Sequence, residues 1–327
     1  MQSFFYDRAT DADHALRLGQ QPGARYLGGG TNLLDLAKGD IEHPQRVVDL
    51  TRIGLDQVTE THDGVRIGAL ARNSDVANHP LIRQRYPLLS QALLSGASAQ
   101  LRNMATMGGN LMQRTRCPYF TDAAFDMCNK RMPGSGCGAR QGYHRTHAIL
   151  GASDACIAVN PSDMNVALAA LDAVVNVSSP RGDRVIPLAQ FHRLPGATPQ
   201  RDTNLLPGEM ITAIDLPVSP FARHAHYLKV RDRASYAFAL VSVGAALDID
   251  QGVVRGARIA LGGVAHKPWR VPAAEALLVG HALSEERSGQ AAALLTAGAT
   301  GLSDNHFKIA MVQRAVVRAL RLAGETV

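Results

Sequence analysis

The sequence predicts an α+β protein of two domains, and three observations lead to this fold class. The chain has 327 residues and a hydrophobic content of 46%, enough to bury more than one core. Short apolar runs bounded by turn residues alternate with segments of helical periodicity, which is typical of mixed helix and sheet. A stretch punctuated by proline and glycine, Leu194 to Pro220, separates a longer first part from a shorter second part.

Composition excludes several classes of protein. The formal net charge is +6, but the basic residues are scattered and aromatic residues make up only 5%. No nucleic-acid-binding motif is present, so we expect no nucleic-acid partner. No apolar run is long enough to span a membrane. The N-terminal residues lack the basic and apolar segments of a secretion signal, so we expect the chain to carry no signal of its own.

Local patterns predict the elements of the first part. We expect helices over residues 12–19, 86–101 and 163–171, and strands at 25–27, 46–50, 65–69 and 173–178. A further strand is expected at 210–216, inside the stretch that separates the domains. Residues 113–150 show no sustained periodicity, and an insertion of this length without regular structure usually has a functional reason.

The second part predicts a small α+β domain. Strands are expected at 227–231, 239–249 and 254–261, with a turn at Asp250-Gln251-Gly252, and helices at about 286–298 and 305–323. The last helix is amphipathic. Its predicted apolar stripe contains Phe307, Met311, Ala315, Val316 and Leu320, while Arg314, Arg318 and Arg321 lie largely off the stripe.

Three consecutive glycines, Gly28, Gly29 and Gly30, follow the second predicted strand and precede Thr31 and Asn32. Such a run can approach a ligand closely and present backbone N–H groups as an anion nest, which suits a pyrophosphate. The spacing is neither that of a Rossmann site nor that of a P-loop. The alternative is a flexible turn between strand and helix.

A second pair of glycines, Gly108 and Gly109, lies in the segment Asn103–Leu111. Both glycine segments end in Asn-Leu, which suggests two loops that close on one extended ligand. Asp163 opens a predicted helix in the segment Asn160-Pro-Ser-Asp. A ligand contact and a simple N-cap are both open for Asp163.

Four cysteines fall within 40 positions, with the spacing C-x10-C-x8-C-x18-C: Cys117, Cys128, Cys137 and Cys156. Four thiolates commonly hold an iron–sulfur cluster, whereas a structural zinc site more typically shows paired C-x2–4-C knuckles. Disulfide bonds or ordinary buried thiols would also account for cysteines in this segment. The loop histidines His144 and His147 are not included in the metal set.

The charge around the cysteines favours the cluster. Only Asp122 and Asp126 oppose the local basic residues, which are Arg114, Arg116, Lys130, Arg131, Arg140 and Arg145. Nearby cations stabilise the net negative charge of a cluster with four thiolates. The turn Pro133–Gly136 is expected to direct backbone N–H groups at sulfur.

The order of these motifs resembles the FAD-binding subunit of the xanthine dehydrogenase / carbon monoxide dehydrogenase family. The matching segments are Gly28-Gly-Gly-Thr-Asn-Leu-Leu34, Ala105-Thr-Met-Gly-Gly-Asn-Leu111, Pro161-Ser-Asp163 and Tyr227-Leu-Lys-Val-Arg231. The cysteine insertion narrows the resemblance to the flavoprotein subunit of periplasmic molybdenum aldehyde oxidoreductases. It implies a bipartite FAD-binding domain over 1–220, with an iron–sulfur insertion at about 113–156, and a carbon monoxide dehydrogenase flavoprotein C-terminal-type domain over 221–327.

The resemblance also implies roles for individual residues. It places the pyrophosphate of FAD on Leu27, Gly28, Gly29, Gly30, Thr31, Asn32 and Leu33, and a second FAD loop on Thr106, Gly109 and Asn110. Asp163 becomes a contact on the adenosine or ribose side, while Ile211 and Lys229 are expected near the isoalloxazine. A [4Fe–4S] cluster is implied on Cys117, Cys128, Cys137 and Cys156.

In this family the flavin subunit is expected to relay electrons without oxidising the organic substrate itself. The resemblance implies a large molybdopterin-binding partner that oxidises an aldehyde to a carboxylic acid, and a small partner with two [2Fe–2S] clusters. FAD then passes the electrons to an external acceptor. It also implies a periplasmic location reached by export with a signal-bearing partner, with the cytoplasm as the alternative. A carbon monoxide, xanthine or nicotinate-type subunit, a stand-alone flavin oxidoreductase and a zinc-stabilised binding module remain as competing hypotheses.

Overall fold

A computed structural model of the chain describes residues 1–325. The chain begins with a parallel sheet of three strands, β1 (Phe5–Arg8), β2 (Ala24–Leu27) and β3 (Arg46–Asp49), in the order β1-β3-β2. Helices α1 (Ala12–Gly19) and α2 (Leu33–Lys38) make the crossovers. Asp11 caps α1 by accepting a hydrogen bond from the His14 N–H. The predicted helix at 12–19 and the strands at 25–27 and 46–50 are confirmed.

The second sheet is antiparallel, with the order β4-β5-β8-β6-β7. Its strands are β4 (Val58–Thr61), β5 (Gly64–Gly68), β6 (Val174–Ser178), β7 (Arg184–Pro187) and β8 (Met210–Pro217). The helices between these strands are α3 (Asn73–Asn78), α4 (Pro80–Arg85), α5 (Pro87–Ser95), α6 (Ala99–Arg102), α7 (Met107–Leu111), α8 (Pro118–Thr121), α9 (Asp163–Ala170) and α10 (Leu188–Phe191). Buried side chains such as Ile67, Leu89 and Leu168 form the main core between this sheet and the helices.

The third sheet belongs to the second part and is antiparallel, with the order β12-β11-β10-β9. Its strands are β9 (His224–Val230), β10 (Val241–Asp250), β11 (Val253–Gly262) and β12 (Trp269–Arg270). Helices α11 (Pro272–Ala276), α12 (Glu285–Leu295) and α13 (Phe307–Glu325) complete the domain. Gln251 and Gly252 both have positive φ, as the tight turn between β10 and β11 requires. Within residues 1–325 we find no helix with the length and apolar character of a membrane span.

Two sequence predictions need correction. The helix expected at 86–101 breaks at Gly96 and Ala97, because Ala97 adopts a φ of 52° and Ser98 caps a new helix. By contrast, the strand expected at 210–216 within the stretch Leu194–Pro220 is confirmed as β8, which lies at the centre of the second sheet. On the last helix, Phe307 is 38% exposed and Lys308 is fully buried, so the buried face differs from the predicted stripe.

Asp49, at the end of β3, provides a test of pH dependence. Burial alone would raise its pKa, but hydrogen bonds from Tyr6, Thr51 and Arg8 outweigh burial and lower the pKa from 3.8 to about 2. The folded state therefore gains stability from ionised Asp49 above pH ~4, and this gain is lost as the pH falls from ~4 through ~2. Urea unfolding of D49N is expected to show a shallower loss of stability over this range. Parallel pH profiles for the two proteins would contradict the assignment.

Candidate functional site

The glycine run after β2 forms a loop, residues 28–32, which we call the first loop. Gly30 has a φ of +74°, a conformation that glycine adopts without strain. A Cβ on Gly29 would overlap the carbonyl oxygen of Met104, and one on Gly28 would lie 2.6 Å from Thr106 Oγ1. The first loop therefore packs directly on the second glycine segment, and only residues without a side chain allow this approach.

Residues 104–110, which we call the second loop, comprise a short turn and the greater part of α7. Thr106 caps this helix, its Oγ1 accepting a hydrogen bond from the Gly109 N–H at 3.2 Å. The Gly108 N–H donates to the carbonyl of Ala69 at 2.8 Å, which fixes the second loop on the end of β5. Met107, which interrupts the run of small and polar residues, is fully buried in the main core.

Asn32 links the first loop to the cysteine segment. Its Oδ1 accepts a hydrogen bond from the Arg114 N–H at 3.1 Å. Its Nδ2 is buried and has no hydrogen-bond partner among residues 1–325. Buried donors are almost always paired in folded proteins, so this amide fits a ligand that supplies an acceptor oxygen between the two loops.

A third segment reaches the same place at the start of α9. Ser162, not Asp163, caps this helix by accepting a hydrogen bond from the Asn165 N–H. The Ser162 hydroxyl also contacts Asn110 Oδ1 at 2.8 Å. The first loop, the second loop and the start of α9 therefore converge, which is the arrangement expected of loops that surround one extended ligand.

Asp163 and Lys229 form an ion pair with each other. Lys229 Nζ donates to Asp163 Oδ2 at 2.7 Å and to the Ser95 carbonyl at 3.1 Å. Tyr227 donates its hydroxyl to Asp163 Oδ1 at 2.7 Å. Burial, reinforced by the Asp163 charge, raises the pKa of Tyr227 well above its ordinary value. Both side chains of the ion pair are less than a tenth exposed, so the pair is a fixed, dry element joining the two domains.

Ile211 lies on β8, where it is 8% exposed and belongs to the main core. The neighbouring Thr212 carbonyl accepts a hydrogen bond from the Ala69 N–H at 2.9 Å. The Ala69 carbonyl also accepts the hydrogen bond from Gly108 in the second loop, so Ala69 links β8 to that loop. Ile211 itself is nearly buried in the main core.

The four cysteines lie in one region and are all free thiols. Cys128 and Cys137 face each other in an antiparallel bridge. Burial raises the pKa of Cys117 to about 12, and the charges of Cys156 and Cys128 add to the effect. Burial likewise raises the pKa of Cys156 to about 11, with Cys137 and Cys128 contributing. This mutual influence shows that residues spread over 40 positions of sequence come together.

Backbone N–H groups donate hydrogen bonds to cysteine sulfur, but these donors do not come from the predicted turn Pro133–Gly136. The amides of Gly134 and Gly136 donate to Asn129 Oδ1, because the turn closes on that side chain. Cys156 Sγ instead accepts from the Ala158 N–H at 3.4 Å. At Cys117, hydrogen bonds from the backbone of Tyr119 and Phe120, in the first turn of α8, oppose the effect of burial on its pKa.

The basic residues of the cysteine segment are largely neutralised by distant acids. Lys130 is 3% exposed and binds Asp202 and His266 Nε2, while Arg114 binds Asp202 and Glu42. Further pairs are Arg116–Asp35, Arg140–Asp154 and Arg145–Asp232. The two acids counted in the sequence therefore understate the negative charge that opposes these basic residues. Lys130 remains close enough to lower the pKa of Cys156, which burial dominates.

Among residues 1–325, no three Cys, His, Asp or Glu side chains converge on a position where one metal ion would bind them all. A structural zinc ion requires four ligands at about 2.0–2.3 Å. Within the described residues the four thiols are thus not arranged around a single metal ion.

The sequence reasoning missed His147. Its Nε2 lies 3.1 Å from Cys117 Sγ, and the residue is 2% exposed. Burial, with the neighbouring charges of Lys308 and His144, lowers the pKa of His147 to about 4, so the ring is neutral near pH 7. The position of His147 between two cysteines of the same segment is a sequence signal that could have indicated this contact. No sequence signal indicated Asp202 and Lys308, because these partners lie far along the chain.

Comparison with known families decides the identity. Residues 2–219 match the family model described as the FAD binding domain in molybdopterin dehydrogenase, and residues 226–323 match the CO dehydrogenase flavoprotein C-terminal domain. The chain belongs to the molybdopterin dehydrogenase FAD-binding family. The predicted membership and fold class are therefore confirmed, and the chain is an oxidoreductase flavoprotein subunit.

Curated members of this family resemble the chain over nearly its whole length. The aldehyde oxidoreductase FAD-binding subunit PaoB of Escherichia coli (strain K12) is 51% identical over 324 residues, which cover 98% of each chain. The glyceraldehyde dehydrogenase medium chain of Sulfolobus acidocaldarius is 28% identical, over 98% of this chain and 96% of its own. Both relatives are named as a subunit or chain of a larger enzyme.

Solved structures of molybdenum hydroxylases share the fold. A chain of carbon monoxide dehydrogenase from Hydrogenophaga pseudoflava superposes with a TM-score of 0.77 at 26% identity, over 99% of this chain and 98% of that one. A chain of quinoline 2-oxidoreductase from Pseudomonas putida 86 gives a TM-score of 0.75 at 23% identity over the same shares, and shows the fold alone.

Proposed function

We propose that this chain is the FAD-binding, electron-transfer subunit of a molybdenum aldehyde oxidoreductase. The observation that carries the proposal is the 51% identity, over 98% of both chains, to the FAD-binding subunit of an aldehyde oxidoreductase. The carbon monoxide dehydrogenase medium chain of Afipia carboxidovorans, at 28% identity, supports a different substrate less strongly. Another molybdenum hydroxylase of this family is therefore the alternative.

In this proposal the two loops and the start of α9 hold FAD. The backbone N–H groups of Leu27–Leu33 would bind the pyrophosphate, since the glycines carry no side chains that would keep the ligand away from these groups. Thr106, Gly109 and Asn110 would line the second loop, and the unpaired amide of Asn32 would donate to the ligand. When bound, the flavin supplies reversible two-electron chemistry.

The residues of the ion pair would orient the flavin. Asp163 is assigned to the adenosine or ribose side, and Lys229 and Ile211 to the isoalloxazine side. The contacts within the protein refine these roles, because both carboxylate oxygens of Asp163 are already bonded to Lys229 and Tyr227. We therefore assign the pair the task of holding α9 against β9, so that the second domain closes over the cofactor site.

We further propose a [4Fe–4S] cluster on Cys117, Cys128, Cys137 and Cys156. Three features support it: the thiols gather in one region in which Cys128 and Cys156 are buried, none of the four forms a disulfide, and the Ala158 N–H donates to Cys156 Sγ. Four thiolates are the usual ligand set of such a cluster. Lys130 adds a nearby positive charge that favours thiolate at Cys156.

The proposed enzyme contains two partners, a large molybdopterin-binding subunit and a small subunit with two [2Fe–2S] clusters. We place the flavin domain at 1–220 and the second domain at 221–327, the last two residues of which lie outside the described part of the chain. We propose a periplasmic location, reached by export together with a signal-bearing partner, with the cytoplasm as the alternative.

Cofactor analysis of the complex, purified without air, tests this proposal. We expect one FAD per chain, and about four iron and four sulfide from this subunit's cubane beyond those of the partner clusters. In C128S these iron and sulfide ions should be lost while FAD remains, because the backbone of Cys128 is bonded to Asp126 and Ser135 within the cysteine segment and serine adds no bulk there. The neighbouring M127L variant, altered at a side chain 44% exposed, should keep them. Wild-type protein with FAD but without this iron would overturn the cluster, and protein without FAD would overturn the function.

A further inference from the structure

His147 faces the sulfur of Cys117 from a dry position. Its Nε2 lies 3.1 Å from Sγ, and the residue is 2% exposed, so water does not compete for this contact. Its Nδ1 is buried and has no hydrogen-bond partner within residues 1–325. In the described chain, sulfur is therefore the one group with which the ring forms a hydrogen bond.

The second domain fixes the position of this ring. Asn305 Nδ2 donates to the carbonyls of His147 and Ala148, at 3.4 and 3.2 Å. Lys308 Nζ donates to the His147 carbonyl at 2.8 Å. Asn305, just before α13, and Lys308, in its first turn, are both fully buried. The backbone that carries His147 is thus held by the second domain, which fixes the position from which the ring reaches the sulfur.

A thiolate bound to iron carries no proton and only accepts hydrogen bonds. A neutral imidazole has one N–H, and placing it on Nε2 gives the proton a partner, whereas a proton on Nδ1 would have none. The geometry therefore selects the tautomer that donates to sulfur. Reduction of a cluster adds negative charge, and hydrogen bonds to its sulfurs stabilise that charge and raise the reduction potential.

We propose that His147 donates a hydrogen bond from Nε2 to the Cys117 thiolate and thereby raises the reduction potential of the cluster. His147 is then a positioning residue for electron transfer, and the second domain sets its geometry. The inference rests on the proposed [4Fe–4S] site. It gives the second domain a task beyond closing the flavin site, since its buried Asn305 and Lys308 adjust a redox centre in the first domain.

Potentiometric titration of the intact complex, followed by the low-temperature EPR signal of the cubane, tests the inference. H147F removes the donor, and we expect its cluster to titrate at a more negative potential than wild type. H147Q keeps an N–H of similar reach and should restore much of the potential. H144F is the matched control, because His144 is equally buried in the same segment but bonds to the Ala139 carbonyl and the Asp304 N–H. Its potential should stay at the wild-type value.

The outcomes separate this inference from the cluster proposal. Wild-type protein without the cubane iron would contradict the cluster proposal itself. If the iron is present but the reduction potentials of wild type and H147F are equal, only the role of His147 is contradicted. A shift in H144F equal to that in H147F would contradict the same role. If H147F loses its iron, wild-type protein labelled with ¹⁵N-histidine still decides by pulsed EPR. A weak nitrogen coupling that is missing in H147Q is expected, whereas no coupling, or one as strong as a direct iron–nitrogen bond, would overturn the proposal.

Discussion

Replacing Gly29 by alanine is expected to weaken flavin binding at least about tenfold. A Cβ at this position would overlap the carbonyl oxygen of Met104, a backbone atom that cannot rotate away. The first and second loops would have to separate, which would dismantle the N–H nest proposed for the pyrophosphate. Overpacking of this kind also destabilises folded proteins by roughly 1–3 kcal/mol.

Flavin content and the dissociation constant for FAD in G29A measure this effect. We expect at least about a tenfold weaker affinity, equivalent to about 1.4 kcal/mol. The matched control is G289A on α12, where an added Cβ meets nothing within 4 Å and the backbone is helical. G289A should bind FAD normally and unfold at the wild-type temperature or slightly above it. Normal flavin content in G29A would place the pyrophosphate elsewhere.

Removing the charge of Lys229 has the second large expected effect. In K229M the Asp163 carboxylate stays 8% exposed and loses its cation, and only the hydroxyl of Tyr227 remains bonded to it. Breaking a buried ion pair by removing one partner costs about 3–5 kcal/mol, because an uncompensated charge is left in the interior. We therefore expect a marked fall in the free energy of unfolding and a looser contact between α9 and β9.

A double-mutant cycle provides the measurement. The variants K229M, D163N and the double variant are compared by chemical denaturation followed by circular dichroism. The double variant should lose less stability than the sum of the two single losses, since neither charge is then left alone. Additive losses would mean that the pair is not coupled. The exposed R314M variant on α13 serves as a control for the loss of one surface cation and should change stability little.

Most elements were predictable because their signals are local. The capped helix α1, the strand before the glycine run and the Gln251-Gly252 turn all follow from spacing and turn chemistry within a few residues. The exception was the helix at 86–101, where Ala97 adopts a left-handed backbone conformation that the sequence does not predict. The position of β8 at the centre of a sheet was likewise hidden, because strand order depends on long-range pairing.

In the candidate site, too, features with a local sequence signal were predictable and contacts between residues distant in sequence were not. The glycine loops and the cysteine cluster were visible, since each is a local concentration of unusual residues. The partners that complete them were not. Asp202 meets Lys130 across 72 positions, and Lys308 meets His147 across 161. Local charge counting therefore overestimated the positive charge at the cysteines. The histidine beside Cys117 was set aside as an ordinary loop histidine, since the residues that support it lie in another domain.

The most direct test of the proposed function is to mix an aldehyde with the complex under anaerobic conditions and follow the flavin absorbance. The account predicts that the aldehyde bleaches the flavin of the complete complex, because electrons arrive from the partner subunits. The same aldehyde should leave the flavin of this chain unchanged when the large subunit is absent. Bleaching of the isolated chain would contradict the account and indicate a stand-alone flavin oxidoreductase. A complete complex that responds to xanthine, nicotinate or carbon monoxide but not to aldehydes would identify a different hydroxylase.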